Sequence, residues 1–382
     1  MVACTAAAMA AAGCSGDAAV SPSGVVDLSR TNASADQPFV LTGVGNVTEV
    51  AQLTGPDGMN DTDSVKIAGT DLGSMVTVED TTYFLFGDTF GQRDPEAWGG
   101  GGGIWRSNAI AYSTDADPSD GITFDGWITD DVGWAAEPVP GEKDANGAGE
   151  VTKIPTHGFV VGDAMYIAFM SVHFWGDPGA WDANYSGLAK SVDEGHTWEI
   201  LEAPRWPGDS NFIQVTATHV RDDDGEHVYL WSIPAGRFGG VQLMKVPADQ
   251  TSVEDADAYR YFAGTDVDGN PVWSADMADA ETIVQGTIGE LSVMYNEHLE
   301  RWIMTYSDAG DAVIREGLTP WGPWGDPIEL ISVADREGLY SPYLNPKYVA
   351  DGGRTVYFTL SLWGPYNVFL FSADLETTST SP

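Results

Sequence analysis

Two aspartates seventeen positions apart, Asp71 and Asp88, have the type and placement for acid–base chemistry. Asp71 lies in Gly69-Thr-Asp-Leu-Gly73 and Asp88 in Phe86-Gly-Asp-Thr-Phe90, with the strand-like run Tyr83-Phe-Leu-Phe between them. A hairpin brings the start of one strand beside the end of the next, which would place both carboxyls at one rim. Two carboxyls facing a sugar are the minimum kit for glycoside hydrolysis, one as acid and one as nucleophile or base. Close carboxyls also push their pKa values apart, leaving one as a proton donor near neutrality. A plainer reading stands beside this one. An Asp after Gly at a strand end commonly forms a turn, and 57 acidic residues make chance neighbours frequent.

The elements that would position these acids recur. Tyr83-Phe-Leu-Phe-Gly-Asp88, Tyr166-Ile-Ala-Phe-Met-Ser171, Tyr229-Leu-Trp-Ser-Ile-Pro234, Trp302-Ile-Met-Thr-Tyr-Ser307 and Tyr357-Phe-Thr-Leu-Ser-Leu362 each open on an aromatic ring, and a second short strand follows each after a loop. A unit that cannot bury its own faces must stack on its neighbours. Five such units predict an all-β fold, a five-bladed β-propeller over 41–376, whose first strands surround a channel. Twelve positions before each opening aromatic lie Asp71, Ile154, Ala217, Glu290 and Asn345. Glu290 is expected either to tune the acid pair or to bond backbone amides, and Asn345 to face substrate.

Long loops on such a scaffold carry specificity. Trp105, Trp175, Trp181, Trp321, Trp324 and Trp363 fall in or beside them and could stack on sugar faces, although most of the 14 Trp are expected to pack between blades. Asn108, Tyr366 and Asn367 complete the candidate substrate contacts. His157, His173 and His219 fall near expected channel strands. Without a close-spaced ligand set they read as hydrogen-bonding groups, His157 and His173 as substrate contacts, and no metal site is expected. No cofactor is required; the acidic turns Asp222-Asp-Asp-Gly-Glu226 and Asp266-Val-Asp-Gly-Asn270 leave room for calcium without completing an EF-hand loop. Ser191-Val-Asp193-Glu-Gly195-His-Thr-Trp198 has the Asp-box spacing, a hairpin turn in which Asp and Ser bond turn amides and Gly supplies the unusual φ. Asp193 is therefore assigned to scaffold.

The totals narrow the partners. Asp+Glu 57 against Lys+Arg 17 gives a formal charge of −40, which repels phosphate backbones and anionic membranes. A neutral polysaccharide meets no such barrier, and the bulk acidity itself serves solubility. Both cysteines, Cys4 and Cys14, precede the first repeat. The run Ala6 to Gly16 resembles the end of a lipoprotein signal, with Cys14 as the lipidated residue, though a basic leader is missing. The expected organisation is a signal segment at 1–14, a flexible tether at 15–40, the propeller, and a polar tail at 377–382. The expected location is secreted or lipid-anchored at the cell surface.

The motif Gly69-Thr-Asp71-Leu-Gly73 followed by Tyr83-Phe-Leu-Phe-Gly-Asp88-Thr-Phe90 resembles a secreted bacterial propeller family. So do Leu339-Tyr-Ser-Pro-Tyr-Leu-Asn-Pro346 and Ser361-Leu-Trp363-Gly-Pro-Tyr-Asn367-Val368. That family was long catalogued as a domain of unknown function and is now grouped with endo-D-arabinanases. The resemblance spans about Val44 to Leu375. It implies cleavage of internal α-D-arabinofuranosyl linkages in cell-wall arabinogalactan or lipoarabinomannan, two essential aspartates at the positions of Asp71 and Asp88, and retention of configuration. It does not say which aspartate is the nucleophile. The alternatives are a non-catalytic cell-surface glycan-binding propeller and another glycosidase, such as an α-L-arabinofuranosidase. A sialidase is disfavoured, since no arginine trio for a substrate carboxylate is recognisable.

Overall fold

A computed structural model describes residues 19–21, 24–31, 37–94 and 96–378. The signal-like segment with Cys4 and Cys14, and residues 379–382 of the polar tail, lie outside the described residues. The described chain is all-β. Its helix is limited to one turn, Gln250–Val253, and four short 3-10 segments.

Five antiparallel meanders follow one another. Unit I is Leu72–Val78, Thr81–Phe86, Ala109–Ser113 and Gly126–Trp127, and unit II is Thr152–Val161, Ala164–Trp175, Trp181–Ser191 and Glu199–Pro207. Unit III is Gln214–Asp222, Gly225–Ile233, Gly239–Pro247 and Arg260–Thr265, the last also pairing Pro271–Ser274. Unit IV is Thr282–Asn296, Arg301–Asp308, Asp311–Gly317 and Ile328–Ile331. Unit V is Leu339–Ala350, Thr355–Leu362 and Asn367–Thr377, and its fourth strand is Leu41–Gln52 from the other end of the chain. Units III and IV are joined into one sheet where Gly239–Gln242 pairs with Thr282–Ile288. The first strands lie beside one another in cyclic order, I to II to III to IV to V and back to I.

The repeat signature follows from this order. Side chains on a strand point alternately to opposite faces. In unit I, Tyr83 and Leu85 pack with Met165 and Ile167 of unit II, whereas Phe84 and Phe86 pack with Tyr348, Tyr357 and Val368 of unit V. In unit III, Val228 and Leu230 meet unit II, and Tyr229 and Trp231 meet Trp302 and Met304 of unit IV. Ile303 of unit IV faces Phe358 of unit V. Each second strand is thus buried on both faces, which is why it reads as an unbroken apolar run rather than an alternating one. Burying each such side chain contributes about 1.5–3 kcal/mol.

The stretch expected to be a tether, 15–40, is docked in part. Val26–Asp27 pairs in parallel with Val220–Arg221, and Val25 and Val26 are buried. These apolar side chains cover the end of the first strand of unit III, so the Ser- and Ala-rich composition understated their packing.

Candidate active site

Asp71 precedes the first strand of unit I at an irregularity. Leu72 takes a positive φ of 67°, the pairing slips between Leu72 and Ser74, and the Leu72 amide donates to Ser361 Oγ at 2.8 Å. Bulges of this kind re-aim a side chain; here Asp71 turns into a cavity of about 860 Å³. Asp88 follows Gly87 at the end of the second strand and lines the same cavity. Gly87 is required there, because a Cβ would stand 2.5 Å from Asp71 Oδ1.

Neighbouring units grip the two acids from opposite sides. Tyr340 of unit V donates its hydroxyl to Asp71 Oδ2 at 2.9 Å, and Tyr366 adds a second hydroxyl contact. Asp71 Oδ1 is buried with no hydrogen-bond partner. On the other side, Trp105 Nε1, from a loop of unit I itself, and Thr152 Oγ1 of unit II both donate to Asp88 Oδ1 at 2.7 Å. The Lys143 ammonium lies 4.7 Å from the Trp105 ring centroid and bonds Glu137 and Ser107.

The two environments differ in strength. Burial, with the neighbouring charge of Asp88 added, pushes Asp71 up to about 7 against the two tyrosine hydroxyls. Burial also raises Asp88, but the Thr152 and Trp105 bonds and the Lys143 charge hold it to about 6. Both carboxyls are raised, which places the pair to hold a proton near neutrality, and the two donors with the Lys143 charge on Asp88 favour its ionised form.

The cavity wall is rich in aromatic rings. Trp98, Trp105, Trp175, Trp181, Trp363, Tyr340, Tyr343 and Tyr366 line the cavity together with Gly100–Gly102. Its acids are Asp71, Asp88, Asp177, Glu290 and Glu337, and its one lining cation, Arg237, is bound bidentately to Glu290 with contacts of 2.6–3.1 Å. The glycine loop is fixed by an exchange of rings with unit V. A side chain at Gly99 would run into Trp363, one at Gly364 would run into Trp98, and Arg93 bonds the carbonyls of Gly99 and Pro365 at 2.5 Å.

Of the residues expected to touch substrate, Glu290, Trp105, Trp363 and Tyr366 line the cavity, and His173 stands outside its lining, bonded to the Gly149 carbonyl at 2.9 Å. Four expectations are corrected. Asn108 is buried and bonds the Val139 and Lys153 carbonyls, tying the two loops between units I and II. His157 is buried, accepts from the Ala217 amide at 3.3 Å, and is pushed down to about 4 by burial. Asn345 accepts from Thr77 and the Lys347 amide, and Asn367 from Thr54. All four serve backbone or inter-unit bonding away from the cavity. Trp321 and Trp324 pack against Phe262 and Gly317 and are also remote from it.

The fixed twelve-residue offset explains part of the error. Tyr83, Tyr166 and Trp302 pair with Val76, Phe159 and Tyr295, seven positions back, but Tyr229 pairs with Thr218, eleven back. The longer hairpin of unit III moves its cavity position from Ala217 to Gln214. In unit V the pairing slips between Leu344 and Val349, and Tyr340 and Tyr343 line the cavity instead of Asn345. The residues missed were Arg237, Tyr340, Tyr343, Thr152 and Trp98. Tyr340 and Tyr343 stood inside the quoted motif Leu339–Pro346, which was the one available signal.

The Asp-box is scaffold. Asp193 accepts from the Thr197 amide and hydroxyl, Gly195 has φ 82°, and the Gly195 amide donates to Ser191 Oγ at 3.0 Å. At the acidic turns, Asp222 is occupied by Lys245, Tyr229 and His227 contacts, and Asp266 by the amides of Asp268 and Asn270. Among the described residues no group of three or more His, Cys, Asp or Glu side chains is placed to hold a metal.

No curated protein matches the sequence. Among solved structures, the chain is similar in fold to a candidate hydrolase from Bacteroides ovatus, at 13% identity over 90% of this chain and 97% of that one, with a TM-score of 0.53. It is more distantly similar to an exo-β-1,3-galactanase from Phanerochaete chrysosporium, solved with β-1,3-galactotriose (9% identity, 88% of this chain and 67% of that one, TM-score 0.49). A GH43_1 enzyme from Xanthomonas citri stands at a similar distance (12% identity, 84% and 91%, TM-score 0.47). Residues 57–372 match a family described as a domain of unknown function, DUF4185, and the chain belongs to that family.

Proposed function

We propose that this protein is a five-bladed β-propeller glycoside hydrolase, an endo-D-arabinanase, in which Asp71 is the general acid and Asp88 the nucleophile. The cyclic order of five meanders supports the propeller reading. The observation that carries the activity is the convergence of two differently held carboxyls on one aromatic-walled cavity. Asp71 protonates the glycosidic oxygen as the bond to the anomeric carbon breaks. Asp88 attacks that carbon and forms a glycosyl ester, with retention after water, deprotonated by the Asp71 carboxylate, hydrolyses the ester.

The wall chemistry favours a neutral sugar polymer. Ring faces stack on sugar C–H surfaces, and five lining acids against one paired arginine disfavour uronic or sialic acids. The choice of D-arabinan rests on the motif resemblance, and the preference for internal bonds rests on it too. The protein is proposed to act outside the cell.

Incubation with purified neutral D- and L-arabinans tests the reading. Release of short D-arabino-oligosaccharides, with the first-formed product keeping the substrate's anomeric configuration by proton NMR, is the expected result. Tight binding of D-arabinan without fragments would instead make the propeller a glycan-binding module. Release from L-arabinan alone would make it a different furanosidase.

A further inference from the structure

Asp71 depends on a tyrosine whose own position needs an explanation. Tyr340 is buried, and its hydroxyl donates to Asp71 Oδ2. Against its ring, 5.1 Å from the centroid, lies the Arg237 guanidinium, which also lies 5.6 Å from the Trp181 ring. That guanidinium is locked by three contacts to Glu290: Nε to Oε1 at 3.1 Å, Nε to Oε2 at 2.9 Å and Nη2 to Oε1 at 2.6 Å. Glu290 is buried on the first strand of unit IV, Arg237 comes from unit III, Tyr340 from unit V and Asp71 from unit I. Glu290 is buried, while the Arg237 side chain stays partly open to the cavity; a buried carboxylate held on an arginine is not a device for stability alone, since an apolar pair of the same volume commonly serves as well. A planar fork can instead hold both a carboxylate and a ring face in fixed orientation.

We propose that Arg237 is a positioning residue: locked on Glu290, it backs the Tyr340 ring and so fixes the hydroxyl that orients Asp71 toward the glycosidic oxygen. This goes one step beyond the hydrolase reading and rests on it for its kinetic arm. The groups facing Asp71 are Asp88 from its own unit, Glu290 from unit IV, and Tyr340 and Tyr366 from unit V. Arg93 backs Tyr366 at 5.3 Å as Arg237 backs Tyr340.

The pair sets the protonation of Asp71 in two opposite ways that can be separated. Tyr340→Phe keeps the ring and removes a donor to the ionised carboxylate, so the titration midpoint of Asp71 should rise by roughly half a unit or more. Glu290→Gln removes a neighbouring negative charge and leaves Arg237 uncompensated, so the midpoint should fall by roughly as much. Both are read by carbon-13 NMR of labelled aspartate carboxyls, a measurement that needs no turnover.

Arg237→Met alone would strand a buried carboxylate and threaten folding. The double variant Arg237→Met/Glu290→Gln removes both charges together. It should fold and lower kcat on D-arabinan about tenfold or more, with KM within about twofold, because the wall rings that Arg237 does not touch, Trp98, Trp105, Trp175 and Trp363 among them, stay in place. Unmoved Asp71 midpoints in the two folded single variants, or wild-type kcat in the folded double variant, would overturn the proposal. Activity surviving in Asp71→Asn would instead defeat the hydrolase reading, while leaving the NMR result to decide the positioning role.

Discussion

At the residue scale, the proposed chemistry depends on two carboxyls being held differently. Asp71 has one oxygen without a partner, and Asp88 has one oxygen held by two donors. If Asp71 must be protonated and Asp88 ionised, kcat/KM should be bell-shaped with limbs near 6 and 7. Trp105→Phe removes a donor to ionised Asp88, so its acidic limb should move to higher pH while the alkaline limb stays; a pH profile of the variant checks this. A stability consequence follows with a definite sign. A carboxyl whose folded-state pKa is raised binds its proton more tightly in the folded chain, so charging it above pH 4 works against the fold. The penalty for Asp71 is absent well below 4 and complete above 7. Asp71→Asn should therefore be more stable than wild type at pH 8, by on the order of 1–3 kcal/mol once partial exposure to the cavity is allowed for, and the gain should vanish as the pH falls well below 4, to about 3. Urea unfolding at the two pH values measures it.

At the element scale, the hairpin ends of unit I do the positioning. Gly87→Ala places a methyl 2.5 Å from Asp71 Oδ1, the end of a movable side chain rather than backbone. Activity should fall more than about tenfold while the unfolding midpoint barely moves; steady-state kinetics beside a thermal melt would show whether it does. Asp193→Ala, in the Asp-box turn, should do the reverse, costing about 1 kcal/mol of stability and leaving kinetics unchanged. The sequence made these elements readable to different degrees. Strands buried on both faces, such as Thr81–Phe86 and Arg301–Asp308, announce themselves as apolar runs opened by an aromatic, and the acids follow from the hairpin between them. Gln214 and Tyr340 were hidden because cavity register depends on hairpin length and bulges, and a one- or two-residue slip changes which side chain faces inward. Asn108, His157, Asn345 and Asn367 looked like substrate contacts because the same polar residues also satisfy buried carbonyls and amides, and only packing separates the two roles. Arg237 comes from the loop between the second and third strands of unit III, and the length of that loop differs from unit to unit, so no fixed offset could have selected it.

At the scale of the whole molecule, unit V is completed by a strand that precedes unit I in sequence, Leu41–Gln52, lying along Asn367–Thr377. With a formal charge of −40 on the chain, self-repulsion weakens the fold at low ionic strength. The melting temperature should rise as sodium chloride is increased from about 0.05 M to about 1 M, and differential scanning calorimetry would reveal a fall if the charges were instead mutually compensated. Under the proposed function, the same acidity, lining a cavity whose one arginine is already bound, would favour neutral polymers over anionic ones. The central claim is that five meanders meet around one cavity so that Asp71 and Asp88 act on a single glycosidic bond. Its most direct test is the product profile of wild type, Asp71→Asn and Asp88→Asn on neutral D-arabinan, each checked for folding at the working pH. The expected result is oligosaccharide release by wild type and a loss of at least about a thousandfold in both folded variants; fragments released at wild-type rates by either variant would contradict it.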